Sequence, residues 1–193
     1  SWNQLAFDDS TWTTGNSGFG YGPDCTTDRG TTLSDMSGAY TSLYVRRLFR
    51  VDNPAAVQSL TALIDYDDSY VLYINGHEVG RNNVVGTPPS NTQLATADHE
   101  CSAPSPAGTN NPPESVTINL ATAQLVAGNN VVAIQAHNLT AASSDFTLTP
   151  TLVETISQGC AVNPECDDGN PCTDDSCLAG ACQHANANGN ACT

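Results

Sequence analysis

Residues 58–79 read QSLTALIDYDDSYVLYINGHEV, and the fold class turns on how the apolar positions in that stretch repeat. They recur at every second residue, which is the period of a strand and not of a helix. The stretch reads as two strands around an acidic turn at Asp67-Asp68. It is followed by Asn75-Gly76, a pair that supplies the positive φ angles of a tight hairpin turn.

Working outward, SLYVRRLFRV (residues 42–51) sets Leu43, Val45, Phe49 and Val51 on one face and Tyr44, Arg46, Leu48 and Arg50 on the other, with Arg47 breaking the apolar face. SVTINL (115–120), NNVVAIQAHNL (129–139) and DFTLTPTLVETI (145–156) are each about strand length. Between Asn82 and Pro113 the chain is polar and proline-rich, which predicts loops with one short strand near Leu94. Helical periodicity is nearly absent. Short strands divided by Gly, Pro, Asn and Asp clusters predict an all-β fold, an antiparallel two-sheet sandwich over residues 1–157. At Gly159 the composition shifts, and residues 158–193 form a small Cys-rich acidic tail.

The blocks FDDSTWTTGNSGFGYG (7–22), TSLYVRRLFRVDNP (41–54), ALIDYDDSYVLYINGHEVGRNN (62–83), LVAGNNVVAIQAHN (125–138) and SSDFTLTPTLVE (143–154) occur in an order that resembles a family of secreted bacterial sandwich modules similar to the galactose-binding-like jelly rolls. The resemblance covers residues 2–154 and implies a jelly-roll-like sandwich that travels as an accessory module of larger secreted proteins. Such modules carry an apolar first strand ahead of the FDDS block, and here Ser1-Trp2 stands in that place. The expectation is a sandwich lacking its first strand, either because the terminus has been trimmed or because a neighbouring copy supplies a strand to the open edge.

Twenty acidic residues face five arginines and no lysine, for a formal charge of −15. That field repels phosphate backbones and anionic lipid, so neither nucleic acid nor membrane is an expected partner. It attracts divalent cations, and Ca²⁺, which takes carboxylate and carbonyl oxygens, is the expected cofactor. No run approaches the roughly 20 apolar residues of a membrane span. The chain opens without methionine or an apolar leader, so a leader is expected to have been removed. Eight cysteines, an even number, point to disulfides and an extracellular or cell-surface location.

Six of the cysteines, Cys160, Cys166, Cys172, Cys177, Cys182 and Cys192, lie in the tail. Their spacing lacks a C-x2-C knuckle or a paired histidine, which disfavours zinc, and a segment this small needs covalent staples in place of a core. GNPCT at 169–173 returns as GNACT at 189–193. CDDGNPCTDDSC with the Cys182 and His184 that follow, residues 166–184, resembles the repeats of slime-mould extracellular-matrix proteins, which implies a matrix or surface setting. The alternation in HANANGNA (184–191) is that of an extended strand or a flexible linker. Cys25 and Cys101, outside the tail, are expected to bond to each other, with a link to the tail or to another subunit as the alternative.

Scattered histidines and the lack of a G-x-S-x-G or H-E-x-x-H motif give no reason to expect an enzyme. The acid pairs Asp8/Asp9, Asp67/Asp68 and Asp98/Glu100 are expected as solvated surface in so acidic a chain. For calcium, Asp67 and Asp68 are the best sandwich candidates, since adjacent carboxylates at a turn can converge with carbonyls. They also resemble the Asp-Asp turn of sugar-binding sandwiches of the protective-antigen type, in which such a pair holds Ca²⁺ beside the ligand. In the tail the candidates are Asp167, Asp168, Asn170, Asp174 and Asp175. Trp12 and Tyr40 are candidate sugar-stacking aromatics, and Asn138 heads an N-x-T glycosylation sequon. The sequence thus predicts a non-catalytic extracellular structural or adhesive subunit that polymerises with copies of itself through strand complementation and tail contacts. The rival expectation is a polysaccharide-binding accessory module of a larger secreted protein.

Overall fold

The structure is a computed structural model that describes residues 1–102, 111–156, 159–160, 162–170, 173–178 and 180–186. The chain divides into two compact units. One comprises Ser1–Asp52 with Leu60–Val153, and the other Asn53–Ser59 with Glu154–Thr193. The division therefore falls a few residues before position 157 and assigns a short internal segment to the smaller unit.

The larger unit is a two-sheet sandwich. Its strands are β1 (Phe19–Tyr21), β2 (Thr31–Thr32), β3 (Ser42–Val51), β4 (Val57–Asp67), β5 (Ser69–Ile74), β6 (His77–Asn82), β7 (Glu114–Thr117), β8 (Gly128–His137) and β9 (Phe146–Ile156), the first residues of β4 and the last of β9 counting with the smaller unit, and a single helical turn lies at Leu120–Ala123. One sheet runs β2-β1-β9-β4-β7 and the other β3-β8-β5-β6. Described pairings are antiparallel apart from the two-residue contact of β1 with β2. Residues 91–100 form turns and loop, so Leu94 belongs to no strand.

The acidic turn does not close a hairpin. β4 lies in the five-stranded sheet and β5 in the four-stranded one, so Asp67-Asp68, joined by a cis peptide, carries the chain across one end of the sandwich. The next turn is a hairpin: Asn75 (φ 50°) and Gly76 (φ 86°) join β5 to β6, with Ile74 opposite His77. Along β4, Leu60, Ala62, Ile64 and Tyr66 are buried in the core between the sheets together with Tyr70, Leu72, Ile74, Ile134, Phe146 and Leu148. Each large apolar side chain buried this way contributes about 1.5–3 kcal/mol.

β5 is buried along its whole length because its outer face is covered too. Val71 and Tyr73 form a second cluster with Val84 and Ala133, and Trp2 packs against it. Trp2 meets Tyr73 and Tyr44 edge-on and stacks on Trp12. Arg46 ties this N-terminal segment down, donating to the carbonyls of Gln4 and Phe7 and pairing with Asp9. The terminal strands β2 and β7 are two and four residues long, too short to template another strand. The long edge is β3, with ten residues.

In the smaller unit, β10 (Thr173–Leu178) and β11 (Ala181–Asn186) form an antiparallel hairpin with Cys177 opposite Cys182. A 3₁₀ turn at Asn163–Cys166 is fixed to it by Cys166–Cys182, and Cys160–Cys177 adds a second bridge. Cys172, Cys192, the GNACT echo and the alternating stretch past Asn186 lie outside the described residues.

Candidate metal centre and adjoining groove

Asp67 and Asp68 are not solvated. They are 3% and 2% exposed. Asp68 accepts from two backbone N–H groups, His99 at 3.1 Å and Leu139 at 2.6 Å. Asp67 has no such partner: its carboxyl makes no hydrogen bond among the described residues. Its proton affinity is pushed up to about 9 by burial, and next by the charges of Asp68, Asp145, Glu100 and Asp98. Burial also raises Asp68, against the lowering effect of its two N–H donors.

Three further acids, within electrostatic reach of this pair, form a cluster of their own. Carboxylate oxygens of Asp24, Glu100 and Asp145 lie within 4.8 Å of one another. Asp24 and Asp145 are buried, Asp145 shares a hydrogen bond with Asp24, and Asp145 is raised first by burial and then by that contact. Glu100 is raised by burial and by the charges of Asp145, Asp98, Asp24 and Asp68, and its Oε2 has no hydrogen-bond partner among the described residues.

The three arrive from distant loops, and local chemistry fixes each. Gly22 (φ 89°) lets the Asp24 loop lie against Asp145, since a Cβ at that position would collide with Ser144 O and with the Cβ of Asp145. Arg29 then holds that loop by its backbone, donating to the carbonyls of Tyr21, Gly22 and Asp24. The Glu100 loop is anchored along the end of β4. Ser102 donates to Asp65 through N (2.9 Å) and Oγ (2.5 Å), and the His99 ring stacks on Tyr66 at 3.8 Å. Cys25 is joined to Cys101, so a disulfide follows immediately on both Asp24 and Glu100.

Carboxylates this near one another and largely shielded from water cannot all ionise alone: desolvation and mutual repulsion each favour the protonated form. A cation would resolve the conflict, and an all-oxygen donor set with acids in excess would fit a hard ion such as Ca²⁺ better than zinc.

Beside this centre lies a groove. Tyr40, Thr41, Ser42, Tyr44, Asn91 and Thr92 line it, and none of its lining residues is charged. Tyr40 donates to Asp35 at 3.0 Å, and its hydroxyl is pushed up to about 12 by burial and by that carboxylate. Tyr44 Oη accepts from Gln135 at 2.8 Å, and Ser42 Oγ donates to the Asn91 carbonyl at 2.7 Å. Residues 138–139 connect groove and centre, with Asn138 N donating to Thr41 O while Leu139 N donates to Asp68.

The other sequence candidates lie elsewhere. Trp12 belongs to the Trp2–Phe7 cluster and not to the groove. Asn138 is 1% exposed with its Nδ2 donating to Tyr21 Oη, so the sequon presents no accessible acceptor nitrogen in the folded chain. In the tail, Asp168 and Asp175 converge on His184, whose Nδ1 is 2.7 Å from Asp175 and 3.5 Å from Asp168. Backbone N–H groups occupy these acids as well: Asp168 N donates to Asp175, Asn170 N to Asp168, and Gly169 N to Asp167. Asp174, adjacent to Asp175 on β10, projects from the opposite face.

Sequence reasoning missed Asp24, Glu100 and Asp145 as candidate ligands, and Tyr44 and Asn91 as groove residues. A signal existed in the pairs Asp24-Cys25 and Glu100-Cys101, since two cysteines that bond carry their acidic neighbours together.

No family of known proteins matches the sequence, and no curated protein does. Among solved structures, the chain is similar to the crystal structure of Streptomyces avermitilis alpha-L-rhamnosidase complexed with L-rhamnose, with 20% sequence identity and a TM-score of 0.41. The match spans 64% of this chain and 10% of that one.

Proposed function

We propose that the sandwich is a non-catalytic extracellular carbohydrate-binding module whose ligand-facing loops are organised by Ca²⁺. The observation that carries this reading is the junction at residues 138–139, where an uncharged aromatic and polar groove abuts a buried carboxylate centre. Aromatic faces with amide and hydroxyl neighbours suit the C–H surfaces and hydroxyls of a neutral saccharide. Asp24, Asp67, Asp68, Glu100 and Asp145 would hold the ion, which supplies the positive charge that lets them ionise in place. Their burial also argues against hydrolysis, which needs two carboxyls facing a scissile bond across an open cleft. Disulfides suit an oxidising compartment, and no helix among the described residues is long and apolar enough to cross a membrane.

Self-assembly is the rival reading, and the ten-residue edge of β3 favours it. The exposed charges of Arg47 and Arg50 on that strand oppose it. Retention on a panel of neutral polysaccharides decides between the two. Binding is expected with calcium, lost in EDTA, and weakened by Tyr40→Ala and Asn91→Ala. No retention on any of them, with calcium-dependent sedimentation of the protein alone, would turn the conclusion toward a polymer.

A further inference from the structure

Two loops far apart in sequence meet at the carboxylate centre, and one covalent bond joins them. Cys25 and Cys101 are 76 residues apart, both buried, and each directly follows a ligand candidate, Asp24 and Glu100. These two acids and Asp145 bring oxygens within 4.8 Å of one another, a placement that like charges resist in low dielectric. A second observation points to an ion in the same place. The Asp67 carboxyl is 3% exposed, makes no hydrogen bond among the described residues, and lies within electrostatic reach of Asp145 and Glu100. The Asp24 loop has a second restraint in Arg29, which grips the carbonyl oxygens of Tyr21, Gly22 and Asp24.

Resting on the calcium reading above, we infer that the Cys25–Cys101 disulfide is the clasp that assembles the cation centre, so that calcium affinity and the oxidised state of this cysteine pair are coupled. With the bond closed, the Asp24 and Glu100 loops are held together against their repulsion and the oxygen cage is preformed. With it open, repulsion separates the loops, and an ion must gather them at its own cost. Coupling is reciprocal: if the disulfide raises calcium affinity, calcium protects the disulfide by the same factor. Cys25 and Cys101 are positioning residues here. They touch neither ion nor sugar.

The unmodified protein provides the first test. Dithiothreitol reduces the Sγ–Sγ bond with two electrons and two protons and itself closes to a cyclic disulfide. Alkylation and peptide mass spectrometry then follow each cysteine pair separately. Calcium is expected to shift the reduction midpoint of Cys25–Cys101 toward higher dithiothreitol by a factor on the order of ten, while Cys160–Cys177 in the tail does not move. The second test is the Cys25→Ser/Cys101→Ser protein, whose calcium affinity by calorimetry should fall by a similar factor. Equal protection of both pairs, or equal calcium affinity with and without the clasp, overturns the inference and leaves the calcium reading standing. A wild-type protein that binds no calcium overturns both.

Discussion

The dipeptide Asp-Asp occurs at 67–68 in the sandwich and again at 167–168 and 174–175 in the tail, and its surroundings give it opposite chemistry. In the sandwich the pair is buried, and burial, with the charges of neighbouring acids, drives its proton affinity up. In the tail, Asp175 is half-buried but well supplied with donors, and its proton affinity is lowered, chiefly by its hydrogen bond to His184. The same residues would be eased by a cation in one place and are satisfied by N–H groups and an imidazole in the other. Burial, and not acid count, separates a metal centre from a capped turn. The two units also differ in what holds them: large apolar side chains between two sheets in one, two described disulfides across a single hairpin in the other.

The strongest way to break this comparison is to remove a staple. Replacing Cys166 and Cys182, 16 residues apart, with serine is expected to cost the tail about 3 kcal/mol. Amide exchange in β10 and β11 should become fast while β5 and β8 stay protected. Equal loosening of both units would show that the tail is not independently stapled.

A smaller effect should come from Asp67→Asn. The folded-state value of Asp67 is about 9 against an ordinary 3.8, so between these pH values the cation-free folded chain keeps a proton that the unfolded chain releases. Its stability must then fall as pH rises through that window, by on the order of 1 kcal/mol per pH unit. The amide cannot ionise, so denaturation in EDTA at pH 8 should find the variant more stable than wild type. Added calcium should stabilise wild type alone, since the ion replaces the proton. A variant less stable than wild type in EDTA would mean that Asp67 is ionised and paired in the cation-free state.

The smallest effect belongs to His184→Ala. Hydrogen bonding to Asp175 raises the His184 value, so its contribution is present below the ordinary histidine range and fades as pH rises through the raised value. The variant should leave the sandwich transition unmoved and slightly loosen β10 and β11 at pH 6 but not at pH 9. An NMR titration of the wild-type ring that gives a value at or below 6.5 would remove the ion pair from the account.

Much of the sandwich is legible because its instructions are local. The alternation in β3, the Asn75-Gly76 turn, and the strand lengths of β8 and β9 depend on neighbours in sequence. Whether Asp67-Asp68 closes a hairpin or crosses between sheets does not, because it depends on which partners β4 and β5 find. The metal centre is less legible still. Asp24, Glu100 and Asp145 have no motif spacing, and solvated surface is the ordinary fate of acids in a chain with 20 of them. Asn138 shows the same limit from the other side: a sequon records composition, while the contact with Tyr21 that buries it is set across 117 residues.

The packing of Trp2 has an optical consequence. The chain holds two tryptophans, and both sit in one aromatic cluster with Phe7, Tyr44 and Tyr73 on the outer face of a sheet. Intrinsic tryptophan emission therefore reads a single surface feature, the seating of the N-terminal segment, while circular dichroism reads the sheets beneath it. Where that segment lifts before the core opens, the two spectra part company and turn an ordinary melting curve into a two-channel recording.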